Sequence, residues 1–275
     1  MRESYLKFGK DLLHVRHNDI VPGRRTLLFV HGLGDSGLAY LEAFEHERLD
    51  AFNLLVPDLI GYGRSSASSE NDYSFDAQIN RLRRLLSRFG ISDDVVVIGH
   101  SMGGDITTLM CASDKKGIIK KYVNVEGDVT QHDLFISNHA VNAHRRGGFD
   151  RWFNKRFAET KVYLQWGIVL PSARRYYASL RFCRPEAFLA SSQELVERNN
   201  SLPGRFKSEI GKIYCDLTIP RVFCYGTLSI SSKTLNYLRQ NGMEVKGFEG
   251  AAHSVMVDKS RKFYDFLYRY ASDSK

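Results

Sequence analysis

The sequence predicts an α/β fold, a three-layer α/β/α arrangement around a mostly parallel sheet of about eight strands, interrupted by a helical insertion. Three observations carry this expectation. Short apolar runs rich in β-branched residues alternate with amphipathic helical patterns, as βαβ units require. One such run, residues 95–98, ends abruptly in Gly99-His100-Ser101-Met102-Gly103 and passes straight into a helical pattern. Between residues 128 and 211, buried-strand signals give way to aromatics and arginines in short helical stretches.

Taken in order, residues 5–8 and 12–16 read as paired strands around Gly9-Lys10-Asp11, and Pro22-Gly23 marks the next turn. Thr26–Val30 is a compact strand that runs into His31-Gly32-Leu33-Gly34-Asp35, where glycine lets the backbone approach another group closely. A short helix is expected over 38–44, a strand over 52–56 and a long turn over 57–65. Ile79, Leu82, Leu85, Leu86 and Phe89 recur at three- and four-residue spacing and predict a helix over 75–89. Arg81, Arg83, Arg84 and Arg88 fall largely on its other side and are expected to be solvated. After the serine turn come a helix over Met102–Ala112 and a strand over 122–125 that ends in Glu126-Gly127-Asp128. Beyond the insertion, strands are expected over 219–225 and 244–248, with helices over 232–241 and 258–270.

A chain of 275 residues can bury one sizeable core and carry a subdomain. Its formal net charge of +8 suits an anionic substrate or a membrane surface, but no basic block is long enough for a nucleic-acid arm. Residues 128–211 hold 13 Lys and Arg against 8 Asp and Glu. This excess reads either as a solvated face of snorkelling arginines or as a lid that admits an anionic or lipid-like substrate. The four cysteines lack C-x-x-C spacing, and Cys111 and Cys224 sit in apolar patterns as small hydrophobes. Gly32, Gly34 and Gly37 only superficially suggest a dinucleotide site, because a histidine precedes them and the next strand lacks the acidic end. No cofactor, metal or nucleic-acid partner is expected. No apolar run approaches the ~18 residues of a membrane span. The first residues lack the apolar centre of a signal peptide, so the cytoplasm is the expected compartment.

In the G-x-S-x-G pattern a sharp strand-to-helix turn holds the serine above the sheet, with amides at the positive end of a helix behind it. A serine hydroxyl is a weak nucleophile at neutral pH, so it needs a base and a group that orients the base. No histidine lies between His144 and His253, and His253 sits in a loop just before the last helix, where it can return to the sheet edge. His100, adjacent to the serine, is expected to point away from it as a structural or pocket-wall residue.

These features together resemble the α/β-hydrolase superfamily. His31-Gly32-Leu33 resembles its oxyanion loop, Asp58-Leu59-Ile60-Gly61-Tyr62-Gly63-Arg64-Ser65 its D-x-x-G-x-G-x-S segment, Gly99 to Gly103 its nucleophile elbow, and Gly250 to His253 its histidine loop. The resemblance implies a hydrolase core over 1–127 and 212–275 with a helical cap over 128–211. It implies Ser101 as nucleophile, His253 as base, and the amides of Leu33 and Met102 as oxyanion donors. His31, Gly32, Asp35, Asp128 and Trp166 are candidates for the pocket, His31 being also placed to brace the oxyanion loop.

The chain departs from the usual pattern at the acid. Most members carry an Asp after the strand that follows the cap, but Tyr225-Gly226-Thr227-Leu228-Ser229-Ile230-Ser231-Ser232 has no carboxylate. Glu126, at the end of the strand after the elbow helix, is the expected substitute, as in some dehalogenases and lactonases of the superfamily, with Asp128 competing for the role. The resemblance implies hydrolysis of a small carboxylic ester or lactone, anionic or hydrophobic. The alternatives are carbon-carbon bond hydrolysis, or a related non-hydrolytic reaction, with the same residues, and a non-catalytic ligand receptor or interaction module. A serine rather than an aspartate at the elbow argues against dehalogenase and epoxide hydrolase chemistry.

Overall fold

A computed structural model describes residues 1–204 and 206–273. Its strands are β1 (Arg2–Phe8), β2 (Asp11–His17), β3 (Thr26–Val30), β4 (Asn53–Pro57), β5 (Val95–His100), β6 (Ile119–Val125), β7 (Arg221–Gly226) and β8 (Val245–Phe248). They form one sheet in the order β1-β2-β4-β3-β5-β6-β7-β8. The β1–β2 and β2–β4 pairs are antiparallel and the other pairs parallel. From β3 the chain moves outward to β4 and then returns to the other flank of β3 as β5. The loops leaving β3 and β5 therefore diverge, opening a crevice beyond the carboxyl ends of the strands.

The helices used below are α1 (Phe75–Arg88), α2 (Met102–Ala112), α3 (Phe135–Arg145), α4 (Pro171–Leu180), α5 (Pro185–Arg198), α6 (Glu209–Asp216), α7 (Ser232–Gln240) and α8 (Ser260–Ser272). Alternation along β5 shows why both sheet faces need cover. Val95 and Val97 join the core beneath α1 and α2, whereas Val96 and Ile98 join the core beneath α8. Leu82 of α1 and Phe263 of α8 are fully buried on their respective sides.

The cap helices α3 to α5 stand beyond the carboxyl ends of the strands, together with a π-helical stretch over Trp152–Trp166. The aromatics concentrated here pack on one another and continue the core that lies beneath α1 and α2: Phe153 and Phe188 rings lie 4.9 Å apart, and Trp152 stacks on Phe157 at 5.0 Å.

The short helix expected over 38–44 is a 3₁₀ helix, Gly37–Phe44, kinked at Tyr40, and a second 3₁₀ turn, Glu47–Ala51, follows it. Two local expectations need correction. The terminal helix starts at Ser260, because Lys259 leaves helical geometry and splits off the turn Val255–Asp258. Asp258 caps the histidine loop instead, accepting from Ala252 N at 3.0 Å. Arg81 is not solvated: it reaches Asp11 at 2.9 Å, with both side chains largely covered.

Candidate active site

β5 ends at His100 and α2 begins at Met102, so Ser101 alone turns the chain, with φ 51° and ψ −128°. Its amide still donates to Val125 O at 2.9 Å, holding the serine in the ladder with β6. A turn this tight leaves no room for side chains beside it. A Cβ on Gly99 would lie 2.1 Å from Thr107 Oγ1, and one on Gly103 2.2 Å from Val30 O. The backbone strain at Ser101, on the order of 1–3 kcal/mol, persists because strand and helix packing over-determine it. Ser101 is thereby presented to a cavity of about 260 Å³ between the sheet edge and the cap.

Ser101 and Glu126 are two of the four non-glycine residues with positive φ among the described residues, and they terminate adjacent strands. Glu126 N still donates to Cys224 O at 3.0 Å, continuing the β6–β7 ladder. The chain then turns with φ 49°, and the side chain spans the end of β7. Glu126 Oε1 accepts from Gly226 N at 2.7 Å and Ser229 Oγ at 2.6 Å. Glu126 Oε2 accepts from His253 Nδ1 at 2.7 Å. The loop without an acid thus supplies the donors that hold the acid of the neighbouring strand.

This contact places the His253 proton on Nδ1 and leaves Nε2 as an acceptor. Burial of the site pulls the imidazole pKa down, but the Glu126 charge and hydrogen bond, with Asp128 and Asp133 nearby, hold it above the usual value. The ring keeps an open side, its side chain being 46% exposed. His100 packs beside it, ring centroids 4.7 Å apart, and donates from Nε2 to His253 O at 3.1 Å. Burial, and the positive charge His253 can carry, push the His100 pKa well down, so His100 is a neutral brace in the cavity wall.

In the loop after β3, Gly32, Leu33 and Asp35 line the cavity but His31 does not, which corrects its assignment to the pocket. His31 is fully buried under the loop, where Nδ1 donates to Gly32 O at 2.9 Å and Nε2 accepts from Leu59 N at 3.0 Å. Burial lowers its pKa, as suits a neutral ring bracing two turns. The cap holds this loop from the other side, through Tyr176 OH on Leu33 O at 2.8 Å. Neither the Leu33 nor the Met102 amide has a hydrogen-bond acceptor among the described residues. Asp35 accepts from Ser36 N at 2.8 Å, and burial raises its pKa. Asp58 anchors the turn beneath, accepting from Gly37 N, Arg64 N, His14 and Arg16.

Asp128 lies in the cavity wall, but its carboxylate is not the one that meets His253. Asp128 N donates to Asp105 Oδ1 at 2.9 Å, and burial together with Asp105 and Asp133 raises its pKa well above the carboxylate range. Burial likewise raises that of Asp105, which binds Asn199 of the cap at 2.9 Å, and pushes Asp133 to about 6. Asp105 and Asp133 escaped the sequence reading, since a lone Asp in a helix or turn carries no local signal of what it will face. Ser229 stands in the segment noted for lacking a carboxylate, but its role as a donor to Glu126 has no local signal beyond the glycine at 226, which marks a close approach: a Cβ there would lie 2.2 Å from Ala252 O. From the cap, Trp166 joins Ile136, Leu170 and Leu195 in an apolar wall opposite the polar sheet edge. No cluster of three or more metal-binding side chains occurs among the described residues.

An apolar cavity with a few convergent polar groups is a usual form of small-molecule site, although this one is below the ~300–1,000 Å³ typical of such sites. A positioned hydroxyl and a carboxylate-bound imidazole are the chemical parts of a nucleophile and its base.

Comparison with known proteins agrees with this architecture. The chain is 35% identical over 108 residues to Lipase 3 of Moraxella sp. (strain TA144), a match covering 39% of this chain and only 33% of that one. A carboxylesterase structure from Nitrososphaera gargenis superposes with a TM-score of 0.73 at 18% identity, covering 97% of each chain. The enol-lactonase of Burkholderia xenovorans superposes at 0.75 and 14% identity, covering 98% of this chain and all of that one. At such identities these structures share the fold alone. The sequence profile of the alpha/beta hydrolase fold family matches residues 25–181, more than half of the chain, and the protein belongs to that family.

Proposed function

We propose that the protein is a serine hydrolase that cleaves a carboxylic ester or lactone through an acyl-enzyme intermediate. The observation that carries this reading is the 2.7 Å contact between Glu126 and His253 Nδ1 in a cavity that also receives Ser101. Ser101 Oγ attacks the substrate carbonyl carbon while His253 Nε2 takes the hydroxyl proton, and Glu126 offsets the charge on the imidazolium. The amides of Leu33 and Met102, without other acceptors among the described residues, stabilise the oxyanion. As the oxyanion collapses, the carbon–oxygen bond to the leaving group breaks and His253 returns the proton to that oxygen. Water then gives a proton to His253 and attacks the acyl carbon, and Ser101 leaves reprotonated. With a lactone the leaving oxygen stays tethered, and the product is a hydroxy acid.

The carboxylesterase and enol-lactonase among the fold neighbours support an ester or lactone as substrate. The test is a fluorophosphonate serine probe followed by a panel of acyl esters and lactones. Labelling of the native protein, lost in Ser101→Ala and absent after denaturation, with turnover of at least one panel member, is the expected result. Native labelling no faster than that of denatured protein would refute the assignment.

A further inference from the structure

We propose that the cap docks, by the face around the cavity mouth, onto an anionic lipid surface. Trp166 and Leu170 turn inward and line the cavity. Their chain neighbours turn outward: Ile168 is 72% exposed, Val169 70%, Leu164 55% and Tyr163 52%. Large apolar side chains scattered singly on a surface need no explanation, but four within seven residues beside a cavity form a patch that water solvates poorly. Phe135, which lines the cavity, is itself 59% exposed, so apolar surface also stands at the mouth on α3.

Charge identifies the occupant. Residues 145–184 hold ten Lys and Arg against two Asp and Glu, an excess equal to the net +8 of the whole chain, so the remainder is balanced. Only two of these ten form ion pairs among the described residues: Lys155 with Glu159 and Arg175 with Glu42. Arg145, Arg146, Arg151, Arg156, Arg181 and Arg184 are exposed, and none of them has an acidic partner among the described residues. The basic and apolar residues also share an element. Arg151, Arg156, Thr160 and Leu164 are all exposed and recur every four or five residues along the π-helical stretch and its start, the repeat that such a helix places on one side.

A basic stripe running into an apolar end matches an interface of anionic headgroups over acyl chains. No helix among the described residues is long and apolar enough to cross a membrane, so the contact is a surface one. The cavity of about 260 Å³ is too small to enclose a long-chain lipid, and the remainder of such a substrate would stay in the surface from which it came.

The test is flotation of the full chain with vesicles of phosphatidylcholine alone or of phosphatidylcholine mixed equally with phosphatidylglycerol. Binding is the readout, so the result does not depend on Ser101 being a nucleophile. The wild type is expected to float with the mixed vesicles and not with the neutral ones, and to be released by salt. Neutralising two charges in Arg151→Gln/Arg156→Gln lowers affinity about 25-fold, at about fivefold per basic residue. Ile168→Asp/Val169→Asp abolishes flotation. Both variants keep the wild-type melting temperature and hydrolysis of a water-soluble ester, since neither pair lines the cavity. Equal flotation with neutral vesicles, no flotation, variants that bind as wild type, or a dimer in sedimentation velocity that Ile168→Asp/Val169→Asp dissociates would each overturn the proposal.

Discussion

Replacing Glu126 by glutamine tests the site at its most distinctive contact. Gly226 N and Ser229 Oγ both donate to Glu126 Oε1, so the oxygen of a glutamine amide stays with them and its NH₂ faces His253 Nδ1. Nδ1 then has to accept, the ring proton moves to Nε2, and the base loses its acceptor. Reversing that tautomer against the amide costs a buried hydrogen bond and leaves a donor unpaired, about 2–3 kcal/mol. The lost charge adds to this. At charge centres ~4 Å apart and an effective dielectric of ~20, the imidazolium–carboxylate attraction is about 4 kcal/mol. Because His253 is 46% exposed, screening by water leaves roughly half, about 2 kcal/mol. Together, about 4–5 kcal/mol corresponds to a fall in kcat of about a thousandfold or more.

The assay is kcat/KM against pH on a substrate identified by the ester and lactone panel that tests the proposed function. The raised His253 pKa means that the imidazole keeps its proton to higher pH, so the acidic limb of the native profile lies above that of a free imidazole. In Glu126→Gln that limb moves to lower pH, while the plateau falls. The same shift makes protonated His253 a stabilising group below its unfolded pKa, an effect lost as pH rises through the folded value. Asp128→Asn is the internal control and stays within about tenfold of wild type, because the Asp128 carboxyl makes no hydrogen bond to His253. Activity of Glu126→Gln within tenfold of wild type, or a larger loss in Asp128→Asn, would refute the reasoning.

Two further outcomes follow from the supports of the site. Ser229→Ala removes one donor to Glu126, a charged-acceptor bond of about 1.5 kcal/mol, and should lower kcat about tenfold with little change in melting temperature. An unchanged kcat would show that Gly226 N suffices to hold the carboxylate. Gly103→Ala drives a methyl group against Val30 O and His31 O, backbone atoms that cannot swing aside. It should destabilise the fold by more than the ~1–3 kcal/mol of ordinary overpacking, seen as a lowered denaturant midpoint; a midpoint near wild type would contradict the close packing of the elbow against the end of β3.

Much of the core was legible because its signals are local. The continuous apolar run of β5, the three- and four-residue spacing on α1 and the glycines around Ser101 each act over a few residues, and each lies where the pattern places it. The 3₁₀ character of Gly37–Phe44 and the break at Lys259 depend on what packs against them, and composition does not record that. Arg81 shows the same limit: helical spacing assigns it to the outer side of α1, but only β2 arriving alongside supplies Asp11 as its partner.

The sequence by itself determined the α/β layering, the sharp turn at Ser101, the lack of carboxylates between residues 225 and 232, and the excess of positive charge in the insertion. Tertiary structure decided which carboxylate meets His253. Glu126, Gly226, Ser229 and His253 are spread over 128 residues of chain and converge only because β6 and β7 are neighbours in the sheet. It also decided that His31 lies beneath its loop and that Ile168 and Val169 face outward beside the cavity. Patterning states that a side chain is apolar or charged; only the packed chain determines what lies opposite it, and at this site that opposition sets both the tautomer of His253 and the character of the cavity mouth.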